Sequence, residues 1–222
     1  MADETAGGEA ACFLHTLING QPVDPETWRD VERFRRAERQ RLYDLRRSFA
    51  PEQRGAATEA IIRDLTSVTG SLEGRNVSVY WPIRGEPDLR PWMRVAHEAG
   101  ARILLPVVEQ KGQPLSFRRW EPRAKMERGI WNIPVPASRE TCLPDLVISP
   151  LVGVDEACFR LGNGGGYYDM TLARLEPRPR IIGVGLPGCT LKTIFPMPWD
   201  VPMDVIVLGD GAPRARIPKP GR

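Results

Sequence analysis

Short apolar runs recur from residue 76 onward, and they restrict the fold of this chain more than any other feature. Their length is that of β-strands, and their lack of polar alternation is typical of strands covered on both faces of a sheet. Helical patterns at 87–99 and 168–176 lie between them. This alternation predicts an α/β fold with a largely parallel central sheet flanked by helices. The runs are NVSVYWPI (76–83), RILLPVV (102–108), PLSFRRW (114–120), DLVISPLVGV (145–154), RIIGVGLP (180–187) and MDVIVLG (203–209).

Two helices are predicted before the first of these strands: one that starts at DPETW and carries apolar residues at helical spacing over 31–49, and a second at 53–65. The segment DPETW offers Asp24 as an N-cap and Pro25 in the first turn. At about 100° per residue, the apolar side chains of the first helix form one stripe. Its flank carries three basic side chains, Arg35, Arg39 and Arg46. They are predicted to line the boundary between core and solvent, although a solvated face paired with nearby acidic residues is the simpler interpretation.

The chain is long enough for one core, and we predict a single domain with additions at both ends. We assign residues 1–28 to an N-terminal helical extension, 29–210 to the α/β domain, and 211–222 to a flexible C-terminal tail. Residues 120–145 are rich in proline and polar residues, and they are predicted to form an irregular loop or flap.

Composition argues against several classes of protein. The 31 basic and 28 acidic side chains leave a net charge of +3, which gives no case for nucleic-acid or membrane binding. The four cysteines show no CxxC spacing, and only two histidines are present, so a zinc site is not expected. The start of the chain lacks the pattern of a secretory signal. We therefore expect a cytoplasmic protein, either a monomer or a weak homodimer.

The segment RLGNGGGYYD (160–169) concentrates four glycines between a predicted strand and a predicted helix. In an α/β fold, such a junction is a place where backbone N–H groups hold phosphate. The alternative is a tight turn with packed tyrosines. The neighbours of the glycines favour a ligand: Arg160 suits a phosphate, Asp169 suits magnesium, and two tyrosines offer an aromatic wall. The spacing fits neither a dinucleotide fingerprint nor a P-loop.

This segment resembles the signature of the 5-formyltetrahydrofolate cyclo-ligase family, which runs close to Arg-Leu-Gly-Tyr-Gly-x-Gly-Tyr-Tyr-Asp. The similarity extends over roughly residues 33 to 210 and includes the basic helix RRAERQRLYDLRRSFAPEQR, VYWPIRGEPDL, ILLPVV, SPLVGVD and PWDVPMD. The resemblance implies an enzyme that uses ATP and Mg²⁺ to convert 5-formyltetrahydrofolate into 5,10-methenyltetrahydrofolate, with release of ADP and phosphate. Phosphoryl transfer of this kind depends mainly on positioning and charge neutralisation, so a scarcity of histidine is no objection.

The resemblance also implies roles for individual residues. Arg160 and Tyr167 are assigned to catalysis, and Asp169 and Asp200 to magnesium. Contacts with the reduced folate are assigned to Glu86, Tyr80, Trp81 and Tyr167. Contacts with ATP are assigned to Arg35, Arg39, Arg160, Gly162, Asn163, Gly164, Gly165, Gly166, Tyr167 and Tyr168.

The chain departs from the family pattern mainly on the substrate side. Asn163 stands where the family usually has a tyrosine, and Val135 stands where many members carry glutamate. These departures keep a second hypothesis open, a regulatory protein that binds ATP or folate without turnover. A basic-helix RNA-binding protein is a weaker alternative, because the arginines alternate with acidic residues and no aromatic stacking motif accompanies them.

Overall fold

The computed structural model describes residues 16–18 and 20–217, so most of the predicted N-terminal extension lies outside the described residues. Within the described part, the helices are α1 (Pro25–Ser48), α2 (Pro51–Thr69), α3 (Arg90–Glu98) and α4 (Tyr167–Leu172), with a 3₁₀ turn at Ile130–Asn132. The strands are β1 (Thr16–Ile18), β2 (Gln21–Val23), β3 (Asn76–Val79), β4 (Arg102–Val107), β5 (Ser116–Trp120), β6 (Met126–Arg128), β7 (Pro134–Pro136), β8 (Leu146–Pro150), β9 (Gly153–Asp155), β10 (Arg160–Leu161), β11 (Arg180–Val184), β12 (Thr190–Leu191), β13 (Val205–Val207) and β14 (Arg214–Ala215).

A seven-stranded sheet in the order β14-β13-β11-β8-β3-β4-β5 forms the centre of the fold. The five inner strands are parallel to one another, while β5 and β14 pair antiparallel at the two edges. The prediction of an α/β fold with a largely parallel sheet is therefore confirmed. The edge strand β14 lies within the segment predicted as a flexible C-terminal tail, and its Arg214 also donates a hydrogen bond to the carbonyl of Asp155.

Successive strand residues alternate between two hydrophobic clusters, one on each face of the sheet. Ile148 and Ile182 pack with Ile61 of α2 on one face, whereas Val147 and Ile181 join the cluster on the other face. Both faces are covered, which explains why the strands read as continuous apolar runs. The second face also receives Leu42 from α1 and Leu172 from α4.

The apolar run at 145–154 forms two strands rather than one. β8 ends at Pro150, and the chain then leaves the central sheet to form β9, which pairs with β10 and β12 in a separate three-stranded sheet. Gly153 permits this crowded departure, because a Cβ there would lie 2.5 Å from Cδ1 of Leu42. The antiparallel pair β9–β10 thus carries the glycine-rich segment beyond the carboxyl end of β8.

Helix α1 begins where the sequence predicts. The Asp24 side chain accepts a hydrogen bond from the Thr27 N–H at 2.8 Å, and Pro25 occupies the first turn. The described residues before it form the β1–β2 hairpin rather than a further helix. The predicted flap at 120–145 is also partly regular, because β6 and β7 form a second hairpin that holds the 3₁₀ turn at its tip.

Candidate active site

The glycine loop, residues 162–166, runs from β10 into α4. Gly164 and Gly166 adopt φ values of +100° and +67°, a region that L side chains rarely occupy. Space is limiting at Gly162, where a Cβ would lie 2.2 Å from Nη1 of Arg160. Glycine is required in this loop both for the backbone conformation and for the close approach of an arginine.

Arg160 lies against this loop with 8% of its surface exposed. Its Nη2 donates to Oδ2 of Asp169 at 2.6 Å, and its guanidinium carbon is 4.9 Å from the centre of the Tyr168 ring. Its buried Nε has no hydrogen-bond partner in the part of the chain that the structure describes. The carboxylate and the ring fix the guanidinium while leaving donors for an anion.

Helix α1 presents three polar side chains to the site at intervals of four residues. Arg35 is buried, and it donates to the carbonyls of Ile194 and Phe195 as well as to Asp200. One turn later, Nε of Arg39 donates to the Gly162 carbonyl at 2.8 Å. After another turn, Tyr43 donates to the side-chain oxygen of Asn163. One face of a single helix therefore contacts both the glycine loop and the segment around residue 200.

The two predicted metal-binding residues belong to segments that contact each other. Oδ1 of Asp169 accepts the N–H of Val201, the residue that follows Asp200. Each carboxylate also has an arginine partner, Arg160 for Asp169 and Arg35 for Asp200. Each oxygen of Asp169, and Oδ1 of Asp200, accepts a single hydrogen bond, which leaves lone pairs for a cation.

Glu86, the predicted folate contact, lies beside the same loop with 6% of its surface exposed. Its Oε2 accepts the Ile83 N–H at 3.0 Å, and its Oε1 lies 3.4 Å from the Asn163 amide nitrogen. Because a carboxylate only accepts hydrogen bonds, it directs the amide nitrogen of Asn163 toward itself and the amide oxygen toward Tyr43. Asn163 thus connects α1 to the segment that carries Glu86.

The side chains of Tyr80 and Trp81, also predicted to contact folate, pack mainly against other parts of the protein. Tyr80 is 3% exposed, and its hydroxyl donates to the carbonyl of Pro87 at 2.9 Å, so it holds the segment that carries Glu86. Trp81 is partly buried against the core beneath α2 and α3, with the Arg90 guanidinium 5.3 Å from its ring centre. Of these three residues Glu86 alone contacts the glycine loop, whereas Tyr167, the fourth residue of the predicted substrate set, directly follows the loop.

The two tyrosines after the loop have different surroundings. The Tyr167 hydroxyl accepts the Gly112 N–H at 3.1 Å, and its ring meets Trp131 edge-to-face at 5.4 Å between centres. The buried Tyr168 hydroxyl has no partner among the described residues, and burial raises the pKa of this phenol. Sequence reasoning missed Trp131, which is 56% exposed at the tip of the β6–β7 hairpin. A lone tryptophan inside a proline-rich stretch was the available signal.

Two groups of the site have shifted pKa values, and in each case the shift disfavours the charged form. Burial, together with the neighbouring Arg35, lowers the pKa of the Arg39 guanidinium. Burial raises the pKa of Glu86 despite its N–H donors and the nearby Arg46. Both groups would therefore gain from a ligand of complementary charge or from a hydrogen-bonding partner.

A magnesium ion fits this donor set only if a ligand completes its coordination. Across residues 16–18 and 20–217, no group of three or more His, Cys, Asp or Glu side chains could hold a metal ion. Magnesium bound with a nucleotide needs one or two protein carboxylates, since phosphate oxygens and water supply the rest. Asp169 and Asp200 satisfy that smaller requirement. In the same residues, no helix has the length and apolar character needed to cross a membrane.

Comparison with known proteins gives one consistent result. A sequence model of the 5-formyltetrahydrofolate cyclo-ligase family matches residues 31–209. The chain is 30% identical over 170 residues to the 5-formyltetrahydrofolate cyclo-ligase of Mycolicibacterium smegmatis, covering 73% of this chain and 87% of that protein. It is 29% identical over 170 residues to the Escherichia coli cyclo-ligase, covering 73% of this chain and 93% of that protein.

Solved structures agree with the sequence comparisons. A 5,10-methenyltetrahydrofolate synthetase from Aquifex aeolicus matches with a TM-score of 0.70 and 28% identity, covering 85% of this chain and 94% of that one. A synthetase from Mycoplasma pneumoniae matches with a TM-score of 0.65 and 20% identity, covering 79% and 99%, a likeness that concerns the fold alone.

Proposed function

The chain belongs to the 5-formyltetrahydrofolate cyclo-ligase family, and we propose that it converts 5-formyltetrahydrofolate into 5,10-methenyltetrahydrofolate with ATP and Mg²⁺, releasing ADP and phosphate. The observation that carries this proposal is the convergence of Arg39, Arg160 and Asp169 on one glycine loop, with Glu86 beside it. The groups proposed to bind phosphate, magnesium and substrate are thus neighbours, which supports a reaction between a nucleotide and a second substrate.

In this proposal the glycine loop receives the phosphates of ATP. Arg39 uses its Nε on the Gly162 carbonyl, and neither of its Nη atoms has a hydrogen-bond partner within the described residues. Arg160 lies under the same loop, held by Asp169. The glycines allow phosphate oxygens to approach the backbone N–H groups closely, which a side chain would obstruct.

Asp169 and Asp200 are proposed to hold the magnesium ion together with phosphate oxygens. The ion, when bound, neutralises charge on the phosphates and makes the γ-phosphorus more open to attack. The chain's own contribution is to fix the carboxylates: Arg160 and the Val201 N–H fix Asp169, while Arg35 fixes Asp200. Prior orientation of this kind lowers the reorganisation needed during the reaction.

On the folate side, Glu86 is proposed to contact the substrate, and the exposed ring of Trp131 with Tyr167 offers an aromatic flank. In the reaction that the family resemblance implies, the formyl oxygen attacks the γ-phosphorus and displaces ADP. N10 of the folate then closes on the activated carbon, and phosphate leaves with the proton that N10 loses. The protein needs no side-chain nucleophile for either step, because positioning and charge neutralisation supply the acceleration.

Asn163 favours a second candidate function, that of a regulatory protein that binds ATP or folate without turnover. It replaces an aromatic side chain of the family pattern with an amide that bonds to Tyr43 and Glu86. In that case Glu86 would be held by the protein itself rather than by substrate. A turnover assay separates the two functions, because both predict nucleotide or folate binding.

The test is the absorbance of 5,10-methenyltetrahydrofolate formed by purified protein with 5-formyltetrahydrofolate, ATP and Mg²⁺. We expect a rise that depends on ATP, and we expect Asp169→Asn to reduce its rate by about 100-fold and to raise the Mg²⁺ requirement. Asp204→Asn is the matched control, because Asp204 also pairs with an arginine, Arg178, but at the start of β13. A flat trace with intact ATP binding would favour the regulatory function.

A further inference from the structure

Of the arginines that the structure describes, Arg118 of β5 is the most deeply buried, with 2% of its surface exposed. Its guanidinium donates to both oxygens of Glu109, at 2.9 Å from Nε and at 2.6 Å from Nη2. Nη1 donates to Glu127 at 3.0 Å and to the carbonyl of Pro136 at 2.9 Å. A bidentate pair with further acceptors fixes the orientation of a guanidinium. None of these residues belongs to the glycine loop or is proposed to contact a ligand, so ligand binding does not explain the buried charge.

The partners of Arg118 belong to two separate segments. Glu109 lies near the start of the β4–β5 loop, residues 108–115. Glu127 lies in β6 and Pro136 in β7, so both strands of the β6–β7 hairpin contact the same guanidinium. Moving either segment away would leave a buried, charged donor without its acceptor, which is costly. The guanidinium therefore constrains the positions of the loop and the hairpin together.

Both of these segments contact Tyr167, the first residue of α4. From the β4–β5 loop, the Gly112 N–H donates to the Tyr167 hydroxyl at 3.1 Å. The same loop is tied to α4 by the Leu115 N–H, which donates to Oγ1 of Thr171 at 2.8 Å. From the hairpin, the Trp131 ring meets the Tyr167 ring edge-to-face. The hydroxyl and the ring of Tyr167 are thus held by two segments that share one buried anchor.

We propose that Arg118 is a positioning residue for the folate side of the site, acting through the hairpin and the β4–β5 loop to hold Trp131 beside Tyr167. The inference rests on the proposed function, in which these two rings flank the substrate. Trp131 is 56% exposed at the hairpin tip, so its position depends on how the strands below it are anchored. A displacement of about 1 Å is enough to weaken the binding or the reaction of a substrate.

Glu127→Ala is the variant that tests the anchor without burying an unpaired charge. It removes the contact of the guanidinium with the hairpin and leaves the bidentate pair with Glu109 in place. Met126 still packs the hairpin against the core, so the variant should fold. Arg118→Lys keeps the charge but loses the fork, and it is a second variant expected to act in the same direction.

Glu140→Ala is the matched control. Glu140 pairs with Arg119, the next residue of β5, at 3.4 Å, and both side chains are about half exposed. Glu127 also pairs with Arg139, which is 66% exposed. Both substitutions therefore remove an exposed ion pair, whereas only Glu127→Ala removes a contact with the buried guanidinium.

The position of Trp131 is measured without any ligand, by fluorine NMR of protein that contains 5-fluorotryptophan. The Trp131 signal is identified by its absence from a Trp131→Phe variant. We expect Glu127→Ala to shift this signal, because the indole moves relative to the Tyr167 ring, and we expect Glu140→Ala to leave it in place. An unshifted signal in Glu127→Ala would overturn the inference.

The consequence for binding is measured by calorimetric titration with 5-formyltetrahydrofolate and, separately, with ATP. We expect Glu127→Ala to weaken folate binding by about 3- to 10-fold, the contribution of one aromatic contact, and to leave ATP binding unchanged. Trp131→Ala should lose at least as much, and adding Glu127→Ala to it should cause no further loss. A merely structural role would instead lower the fraction of active protein and leave both dissociation constants at their wild-type values.

Three binding results would contradict the inference: unchanged folate affinity in Glu127→Ala, equal losses for folate and ATP, or a loss that adds fully to that of Trp131→Ala. Turnover is followed separately by absorbance, so the two proposals fail independently. Folate binding without turnover would remove the cyclo-ligase proposal alone. Turnover with an unchanged folate affinity in Glu127→Ala would remove only the role of Arg118.

Discussion

At the scale of single residues, Glu86 combines a buried position with a charge that the site is expected to use. Burial is the largest influence on its pKa and raises it, while the Ile83 N–H, Arg46 and the Asn163 amide favour the charged form less strongly. Ionisation of this carboxyl therefore opposes folding. The cost is tolerated where the charge serves a ligand, which is common for buried acids in active sites.

Glu86→Gln should remove a pH-dependent loss of stability. The unfolded carboxyl titrates near pH 4.5, and the folded one at higher pH, so the native state holds the extra proton between these values. In that range the wild type loses stability as pH rises, and the loss is complete above the folded pKa. We expect the variant to gain free energy of unfolding relative to the wild type from pH 4.5 toward neutrality, then to keep a constant difference.

Urea unfolding at a series of pH values measures this difference. Glu98→Gln, at an exposed position at the end of α3, is the control and should show no such trend. A constant difference between Glu86→Gln and the wild type at all pH values would contradict the prediction. If the same variant also lost affinity for folate, the result would show that the charge of Glu86 contributes to substrate binding.

The residue types at the site were largely predictable, but their partners were not. Arg160 and Asp169, nine positions apart, belong to one motif and form an ion pair. In the sequence, Asn163 is recognisable only as a replacement for the usual aromatic residue. Its contacts cannot be predicted from the motif, because Tyr43 and Glu86 lie 120 and 77 positions away. A motif specifies local chemistry, whereas such long-range contacts depend on how the elements pack.

At the scale of elements, helical periodicity predicts that the arginines of α1 share one flank of the helix, but it does not predict how deeply they are buried. Arg35 and Arg46 are 7% and 4% exposed, well inside the boundary between core and solvent. The reason is that carbonyl and carboxylate acceptors from the loops after β8 and β12 reach the helix and satisfy these guanidinium groups. The distant loops that cover a helix cannot be predicted from the sequence of the helix itself.

Gly162→Ala tests the tight contact between the loop and Arg160. The added Cβ would lie 2.2 Å from Nη1 of Arg160, so the guanidinium must move from its place beside Asp169. We expect a loss of about 1–3 kcal/mol in stability from overpacking, a raised KM for ATP, and turnover reduced by at least about 10-fold. Thermal unfolding and the absorbance assay measure these effects.

Gly55→Ala supplies the control for that substitution. Gly55 lies within α2, and a Cβ there would have nothing within 4 Å. Alanine should therefore stabilise the protein by about 0.5–1 kcal/mol through helix propensity and leave the kinetics unchanged. Normal ATP dependence in the Gly162→Ala variant would show that the position of Arg160 does not matter for nucleotide binding.

At the scale of the whole molecule, apolar runs predict a covered sheet but not the order of its strands. β3 pairs with both β4 and the more distant β8, and this arrangement places the residues after β3 next to those after β8. The site forms because carboxyl ends of parallel strands share one edge of the sheet. The position of the β6–β7 hairpin, with Trp131 against Tyr167, follows from the same packing and has no local signature.

The two hydrophobic clusters share the central sheet, so we predict that they unfold together. Ile61 of α2 is fully buried on one face, and Leu172 of α4 is 3% exposed on the other. Replacing either with alanine should lower the free energy of unfolding by about 2–5 kcal/mol. Because adjacent strand residues such as Val147 and Ile148 face opposite clusters, loss of either layer exposes strands that the other layer needs.

Urea unfolding followed by far-ultraviolet circular dichroism and by tryptophan fluorescence measures this coupling. We expect both probes to give one transition for the wild type, and both variants to shift the two probes together. Leu143→Ala, at a position 59% exposed, should change stability by no more than about 0.5 kcal/mol. If Ile61→Ala shifted one probe while the other kept the wild-type midpoint, the two faces would be separate folding units. The active site, which draws Arg35 from α1 and Glu86 from the segment after β3, would then depend on how those units dock.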